Sequence, residues 1–183
     1  MSNYIIMKKI NYLLAIILTT VFYVSCSSDD AQETPNQFII EGKNYPIESI
    51  MVEKFIKGDT PSVFLHLMNI TEQDIEAARN SGVALTEVDF FSIAVRDESL
   101  TSKTYTTNSL GYEFMTDGEF LGEYDNEQLL MEYENGDEVT LTINSINETN
   151  ISLDFKVKRI NGSVATGSYK GKYSTIEESS GPR

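Results

Sequence analysis

The chain has one cysteine, one histidine and no tryptophan, so it is short of the residues that most often carry chemistry. A single thiol, Cys26, excludes an internal disulfide framework. Zinc sites draw several ligands from Cys and His, and one of each does not supply them. A nucleophilic relay needs a base beside its Ser or Cys. His66 is the only imidazole, it stands between Leu65 and Leu67, and no nucleophile motif accompanies it, so it reads as a half-buried packing residue of a strand. Basic residues are scarce as well, 14 against 28 acidic ones for a net charge of −14. Such a surface repels phosphate backbones and anionic headgroups, which argues against nucleic acid as a partner. The acidic excess reads first as solubility, and second as a patch for a basic partner or for calcium.

What the chain does have is an ordered N-terminus. Lys8 and Lys9 precede an apolar run, Ile10 to Val24. A secretory signal needs a positive start, an apolar core of roughly 7–15 residues and a small residue at the cut. The run is interrupted by Asn11, Thr19 and Thr20, and falls short of the about 20 apolar residues of a membrane span. Met7-Lys8-Lys9 also reads as a natural start. The segment Val24-Ser25-Cys26 resembles a lipobox, the recognition sequence of lipoprotein signal peptidase, with Tyr23 where Leu is usual. The resemblance implies that Cys26 becomes the lipidated N-terminus, carrying two or three fatty acyl (palmitate-type) chains. Each buried CH₂ contributes about 0.8 kcal/mol, so several chains anchor where one holds weakly. Ser27 follows the cysteine, where Asp would resemble an inner-membrane retention signal, so the outer membrane is expected. Ser27, Ser28, Asp29 and Asp30 together resemble the acidic export tether that displays lipoproteins of the Bacteroidota on the cell surface.

These features divide the chain into a signal peptide (1–25), a polar acidic tether (26–36), one globular domain (37–174) and a flexible tail (175–183). A domain of that length can bury roughly two-thirds of its unfolded surface. Its residues alternate in short apolar runs separated by turn residues, the pattern of an all-β fold. Phe38 to Ile40 leads through Glu41-Gly42-Lys43-Asn44 into Tyr45 to Ile50 as an opening hairpin. Val63, Leu65 and Leu67 form one inward set, and Phe91, Ile93 and Val95 another. One helix is expected between them, capped by Thr71 with Asp74 three residues on, ended by Gly82, and laid over a sheet edge or end.

The C-terminal half reads as four strands. A two-residue Asn135-Gly136 turn would put the apolar faces of the flanking segments on opposite sides. A three-residue loop Glu134-Asn135-Gly136 instead pairs Met131 with Val139 and Leu129 with Leu141. The loop Ile160-Asn161-Gly162 likewise pairs Val157 with Ala165, Phe155 with Gly167 and Leu153 with Tyr169, the Phe155 ring lying over bare backbone. Asp154, Lys156 and Lys158 then face water. The turn around Asn147 to Asn150 sets Ile143 against Ile151 and Leu141 against Leu153. The expectation is a four-strand meander over about 128–173 with one apolar face, covered by the N-terminal strands. This is an antiparallel β-sandwich or a flattened barrel.

Phe38-x-x-x-Gly42-x-x-Tyr45 and Gly167-x-Tyr169-x-Gly171-x-Tyr173, behind the lipobox, resemble small β-rich surface lipoproteins of uncharacterised function of the Bacteroidota type. The resemblance implies the fold and the envelope location, and no activity that can be carried over residue by residue.

The chemical candidates are few. Carboxylates are plentiful, so two-carboxylate glycan hydrolysis stays open, though Asp97-Glu98, Asp117, Glu123-Asp125-Glu127 and Asp137-Glu138 all read as solvated turn charge. No EF-hand loop is present, and Asp125, Asn126 and Glu127 are the nearest approach to a set of oxygen ligands for a metal. Tyr105, Tyr112 and Tyr124 could offer rings to a sugar but more often cap a core edge. The sequons at Asn69, Asn147, Asn150 and Asn161 read as turn chemistry. No cofactor is implied. The sequence therefore points to a lipid-anchored outer-membrane protein, exposed at the surface, acting as a non-enzymatic binding or accessory module for a protein or glycan. A carboxylate-dependent glycan hydrolase and a purely structural envelope protein are the alternatives.

Overall fold

Glu41 and Gly42 both take positive φ, 51° and 82°, and close Gln37–Ile40 (β1) onto Lys43–Pro46 (β2) as a two-residue hairpin. Such a left-handed pair matches the twist of the strands it joins. The turn is tighter than the four residues expected, and β2 stops at Pro46. The computed structural model describes residues 36–57, 60–120 and 129–176. Cys26, Ser27, Ser28, Asp29 and Asp30 lie outside the described residues, as do Tyr124, Asp125, Asn126 and Glu127.

After the hairpin come Ser49–Lys57 (β3), Thr60–Met68 (β4), a helix Glu72–Ser81 (α1), Leu85–Val95 (β5), Thr104–Thr106 (β6) and Leu110–Phe120 (β7). Leu129–Glu132 (β8), Glu138–Ile146 (β9), Asn150–Lys158 (β10), Val164–Lys172 (β11) and Ser174–Ile176 (β12) complete the described strands. They form two six-stranded sheets, β2-β1-β11-β10-β9-β6 and β12-β3-β4-β5-β7-β8. All pairings are antiparallel except β12 on β3. The fold is an all-β sandwich, and because the two sheets do not close on each other the flattened barrel is set aside.

The inward rows meet in one core. Phe38 stacks on Tyr45 at 4.9 Å and touches Phe91 and Phe114 of the second sheet at 5.6 and 5.5 Å. Phe91 also stacks on Phe155 of the first sheet at 4.6 Å. Val63, Leu65, Leu67, Ile93 and Val95 fill the second sheet's side, and Leu141, Ile143, Leu153 and Val157 the first. Aromatic contacts of this kind add about 0.5–1.5 kcal/mol each beyond the area they bury.

The β10–β11 hairpin has the expected register, with Val157 opposite Ala165, Phe155 opposite Gly167 and Leu153 opposite Tyr169. The β9–β10 turn differs. Asn147 Oδ1 accepts from the amides of Thr149 and Asn150 and tightens the turn. Leu153 therefore faces Ile143, and Phe155 faces Leu141. From Leu153 to Lys158 the slip is two residues, which keeps those side chains on their expected face, and a bulge between Ser152 and Leu153 sets Ile151 opposite Ile146.

The four-strand meander is corrected to three strands. β8 does not pair with β9; it leaves for the other sheet and sets Met131 opposite Phe114 of β7. Asp137 ties the corner after β8 together. It is 1% exposed, not solvated as its turn context suggests. Its carboxylate accepts from the Glu134 amide at 2.9 Å, the Ile160 amide at 2.8 Å and the Tyr112 hydroxyl at 2.8 Å. One carboxylate thus joins the corner, the β10–β11 loop and β7. Burial pushes the Asp137 carboxyl up, but the two amides, the Tyr112 hydroxyl and the nearby Arg159 outweigh it and hold it below the ordinary range. Burial and that same carboxylate push the Tyr112 hydroxyl well up.

Two further boundaries move. β1 and β2 join the C-terminal strands in the first sheet, so β3, β4, β5, β7 and β8 supply the covering layer. Thr175 and Ile176, expected in the flexible tail, continue from Ser174 as an edge strand on β3. The helix is as expected. Thr71 Oγ1 accepts from the Asp74 amide, the Asp74 carboxylate accepts from the Thr71 amide, and Gly82 (φ 66°) ends it. Ile75 and Ala78 are its buried residues, and Ile75 joins Met51, Met68, Val88, Phe90, Met115 and Phe120 in a small second cluster. These sheet residues alternate with the core-facing ones, so the helix covers one end of the second sheet's outer face.

Candidate functional site

Beyond the helix, no other described element lies over the outer face of the second sheet, and its cross-strand rows can be read from the register. His66 faces Ser92, Ser92 faces Glu113, and Glu113 faces Glu132, giving one polar row across four strands. In the next row Phe64 faces Ala94 and Ala94 faces Gly111. Neighbouring outward positions with almost no side chain leave a hollow. The result is an open depression of about 220 Å³, lined by Phe64, Ser92, Ala94, Gly111, Glu113, Glu132 and Tyr133 among others.

His66 supports one side of it. The ring is 6% exposed and lies parallel to Phe64 at 6.0 Å and near-parallel to Phe90 at 5.2 Å. Its Nδ1 is 3.2 Å from Ser92 Oγ, and its Nε2 is 3.3 Å from Glu53 Oε2. The imidazole thus bridges the Ser92 hydroxyl and the Glu53 carboxylate, the direction of each bond following the tautomer. A Ser–His–carboxylate series attacks a carbonyl only with free donors aimed at the developing oxyanion. Ser92 stands mid-strand between β4 and β7, where the surrounding amides belong to the sheet ladder. In this setting the series fixes Ser92 and the imidazole in place.

Glu113 and Glu132 are the charged wall. Like charges directly opposite on neighbouring strands destabilise a sheet. Glu113 is half-buried and Glu132 exposed. Burial pushes the Glu113 carboxyl up, His66 pulls it back, and the Glu132 carboxylate pushes it up again. Among the described residues the ion pairs are His66–Glu53, Lys103–Asp97, Lys158–Glu138 and Arg159–Glu134. None of them neutralises Glu113 or Glu132.

Of the expected sugar platforms, Tyr124 lies outside the described residues, and Tyr105 and Tyr112 are buried, Tyr112 also lining the depression. Tyr105 is 4% exposed, and its hydroxyl oxygen accepts from the Thr101 amide at 3.0 Å. The Tyr112 ring is 5% exposed, lies parallel to Phe91 at 6.0 Å and is tied to Asp137. Both are core residues whose rings face inward. Tyr133, not singled out from sequence, is the exposed ring at the depression, edge-on to Tyr112 at 6.4 Å. Asn147 and Asn161 act as turn acceptors for the amides of Thr149 and Ser163, whereas Asn69 takes the amide of Asp89, 20 residues on, and Asn150 begins β10.

Among the described residues no three His, Cys, Asp or Glu side chains are grouped to hold a metal ion, and no helix is long and apolar enough to cross a membrane. No known protein family, curated protein or solved structure matches the chain.

Proposed function

We propose that the chain is a lipid-anchored envelope module, held through Cys26 at the outer membrane and displayed at the cell surface. It binds a protein or glycan ligand through the outer face of its second sheet. The observation that carries the binding role is the depression over Ala94 and Gly111. It is a hollow with charged and aromatic walls on the outer face of the second sheet, where no described element other than the helix lies over the strands. The lipobox at Cys26 and the acidic tract after it support the anchor and the address. A role confined to envelope structure leaves the hollow and its facing carboxylates without a use.

One observation favours a second reading, the glycan hydrolase. Glu113 and Glu132 are two carboxyl groups at one site, in environments that differ in burial. Glycosidases flank the scissile bond with two carboxyl groups about 5–10 Å apart. Here both carboxylates rise from adjacent strands on one side of an open hollow, which suits gripping a group better than enclosing a bond.

The anchor is tested directly. Cys26→Ser is expected to abolish incorporation of an alkyne-tagged fatty acid and to release the protein from the membrane fraction, since no other cysteine can carry the thioether. Labelling unchanged in the variant would overturn the lipoprotein reading.

A further inference from the structure

We propose that the depression receives a guanidinium group, an arginine side chain presented by a partner peptide, held by the Glu113 and Glu132 carboxylates and flanked by the Phe64 and Tyr133 rings. The inference rests on the binding reading above and names its ligand chemistry.

Four features converge on a cation with an apolar stem. First, two carboxylates stand opposite each other across β7 and β8, an arrangement that costs stability unless a cation neutralises it. No described lysine or arginine forms an ion pair with either, and His66 draws the Glu113 carboxyl down without overcoming burial and Glu132. Second, the floor is clear. A β-carbon built on Gly111 would find only the Ala94 β-carbon, at 3.8 Å, so an aliphatic stem can lie over the glycine. Third, Phe64 and Tyr133 line the same hollow, and aromatic faces attract cations while their bodies pack against methylenes. Fourth, the chain's net charge of −14 steers basic partners in and anionic ones away.

The donor set separates guanidinium from the other cations. A divalent metal wants more oxygen ligands than two carboxylates supply, and no third acidic or imidazole group joins them among the described residues. An ammonium is a compact point charge, whereas a planar guanidinium presents a fork of N–H donors that can reach two carboxylates at once and lie flat against a ring. Ser92, fixed by His66, adds a polar edge to the hollow.

The test is calorimetric titration of the full chain in detergent with N-acetyl-arginine methylamide and with its neutral isostere, N-acetyl-citrulline methylamide. Arginine is expected to bind at least about tenfold more tightly than citrulline, about 1.4 kcal/mol, and to weaken as salt rises. Glu113→Gln with Glu132→Gln should erase that preference, and Gly111→Leu should block both probes. Melting curves control for folding. The double glutamine variant is expected to melt no lower than the unaltered chain at neutral pH, because it removes a like-charge pair with one half-buried member. Equal affinity for arginine and citrulline, both blocked by Gly111→Leu, would overturn the cation and leave the binding site standing. Arginine binding that survives Gly111→Leu would overturn the placement, and no arginine binding at all would overturn the inference itself.

Discussion

Phe155→Ala is expected to cost the sandwich about 3–5 kcal/mol, the usual penalty for emptying the site of a large core aromatic. Against a total stability of about 5–15 kcal/mol, that leaves little margin. The ring is 4% exposed, stacks on Phe91 across the two sheets, and lies over Gly167 on the neighbouring strand. A β-carbon at Gly167 would collide with this ring and sit 3.0 Å from the Phe38 β-carbon. Gly167→Ala should therefore overpack the core by about 1–3 kcal/mol. The two changes compensate in part, because the new methyl enters space the ring has left, so the double variant should cost less than the sum. Lys156→Ala, one residue along and exposed, should change stability by under about 0.5 kcal/mol. Denaturant melts of the four variants measure this. A larger loss from Lys156→Ala than from Phe155→Ala would mean that β10 presents its other face to the core.

Asp137→Ala should be comparably damaging, about 3–5 kcal/mol. It strips the acceptor from two amides and the Tyr112 hydroxyl at once, and hydrogen bonds to a charged group contribute about 1.5–3 kcal/mol each before non-additivity. The effect also has a pH signature. The folded-state carboxyl is held below its ordinary value. Its contribution is therefore present above the unfolded carboxylate range, near about pH 4, and is lost as pH falls through the lower folded value. The stability gap between the native chain and Asp137→Asn should narrow on acidification through that window. A gap that stays constant from neutral pH to below about pH 3 would mean that the carboxylate's charge contributes nothing to the corner.

How much of this the sequence disclosed follows from what period-two patterning can see. The β10–β11 register was legible because Phe155 and Gly167 complement each other in size, which fixes the pairing and not only the face. At β9–β10 only the face was legible, since a two-residue slip leaves every apolar position inside. β8 misled because Met131 is buried against either sheet. Asp137, the residue that ties the corner after β8 together, resembles any acidic turn residue until its three donors are seen. Those donors come from residues 25 positions before it to 23 after. The candidate site was hidden for the same reason. Ala94 and Gly111 are small residues in separate segments, and Glu113 meets Glu132 only because β7 pairs with β8, the pairing that a β8–β9 hairpin denies. The lone histidine is buried where a half-buried ring was expected, and its partners Glu53 and Ser92 lie on two other strands. Tyr105 and Tyr112 show the limit from the other side, because a tyrosine near a strand end looks the same in sequence whether its ring turns outward or in.

The claim on which the account turns is that the outer face of the second sheet, at this depression, is the surface the anchored protein uses. Site-specific photocrosslinking in intact cells tests it, with benzoylphenylalanine placed at Tyr133, an exposed ring on the rim, or at Lys156, an exposed outward position on the first sheet. The expected result is an adduct from Tyr133 that disappears when Gly111→Leu is added to the same chain, and no matching adduct from Lys156. An adduct from Tyr133 that survives Gly111→Leu, or equal capture from both positions, would contradict it.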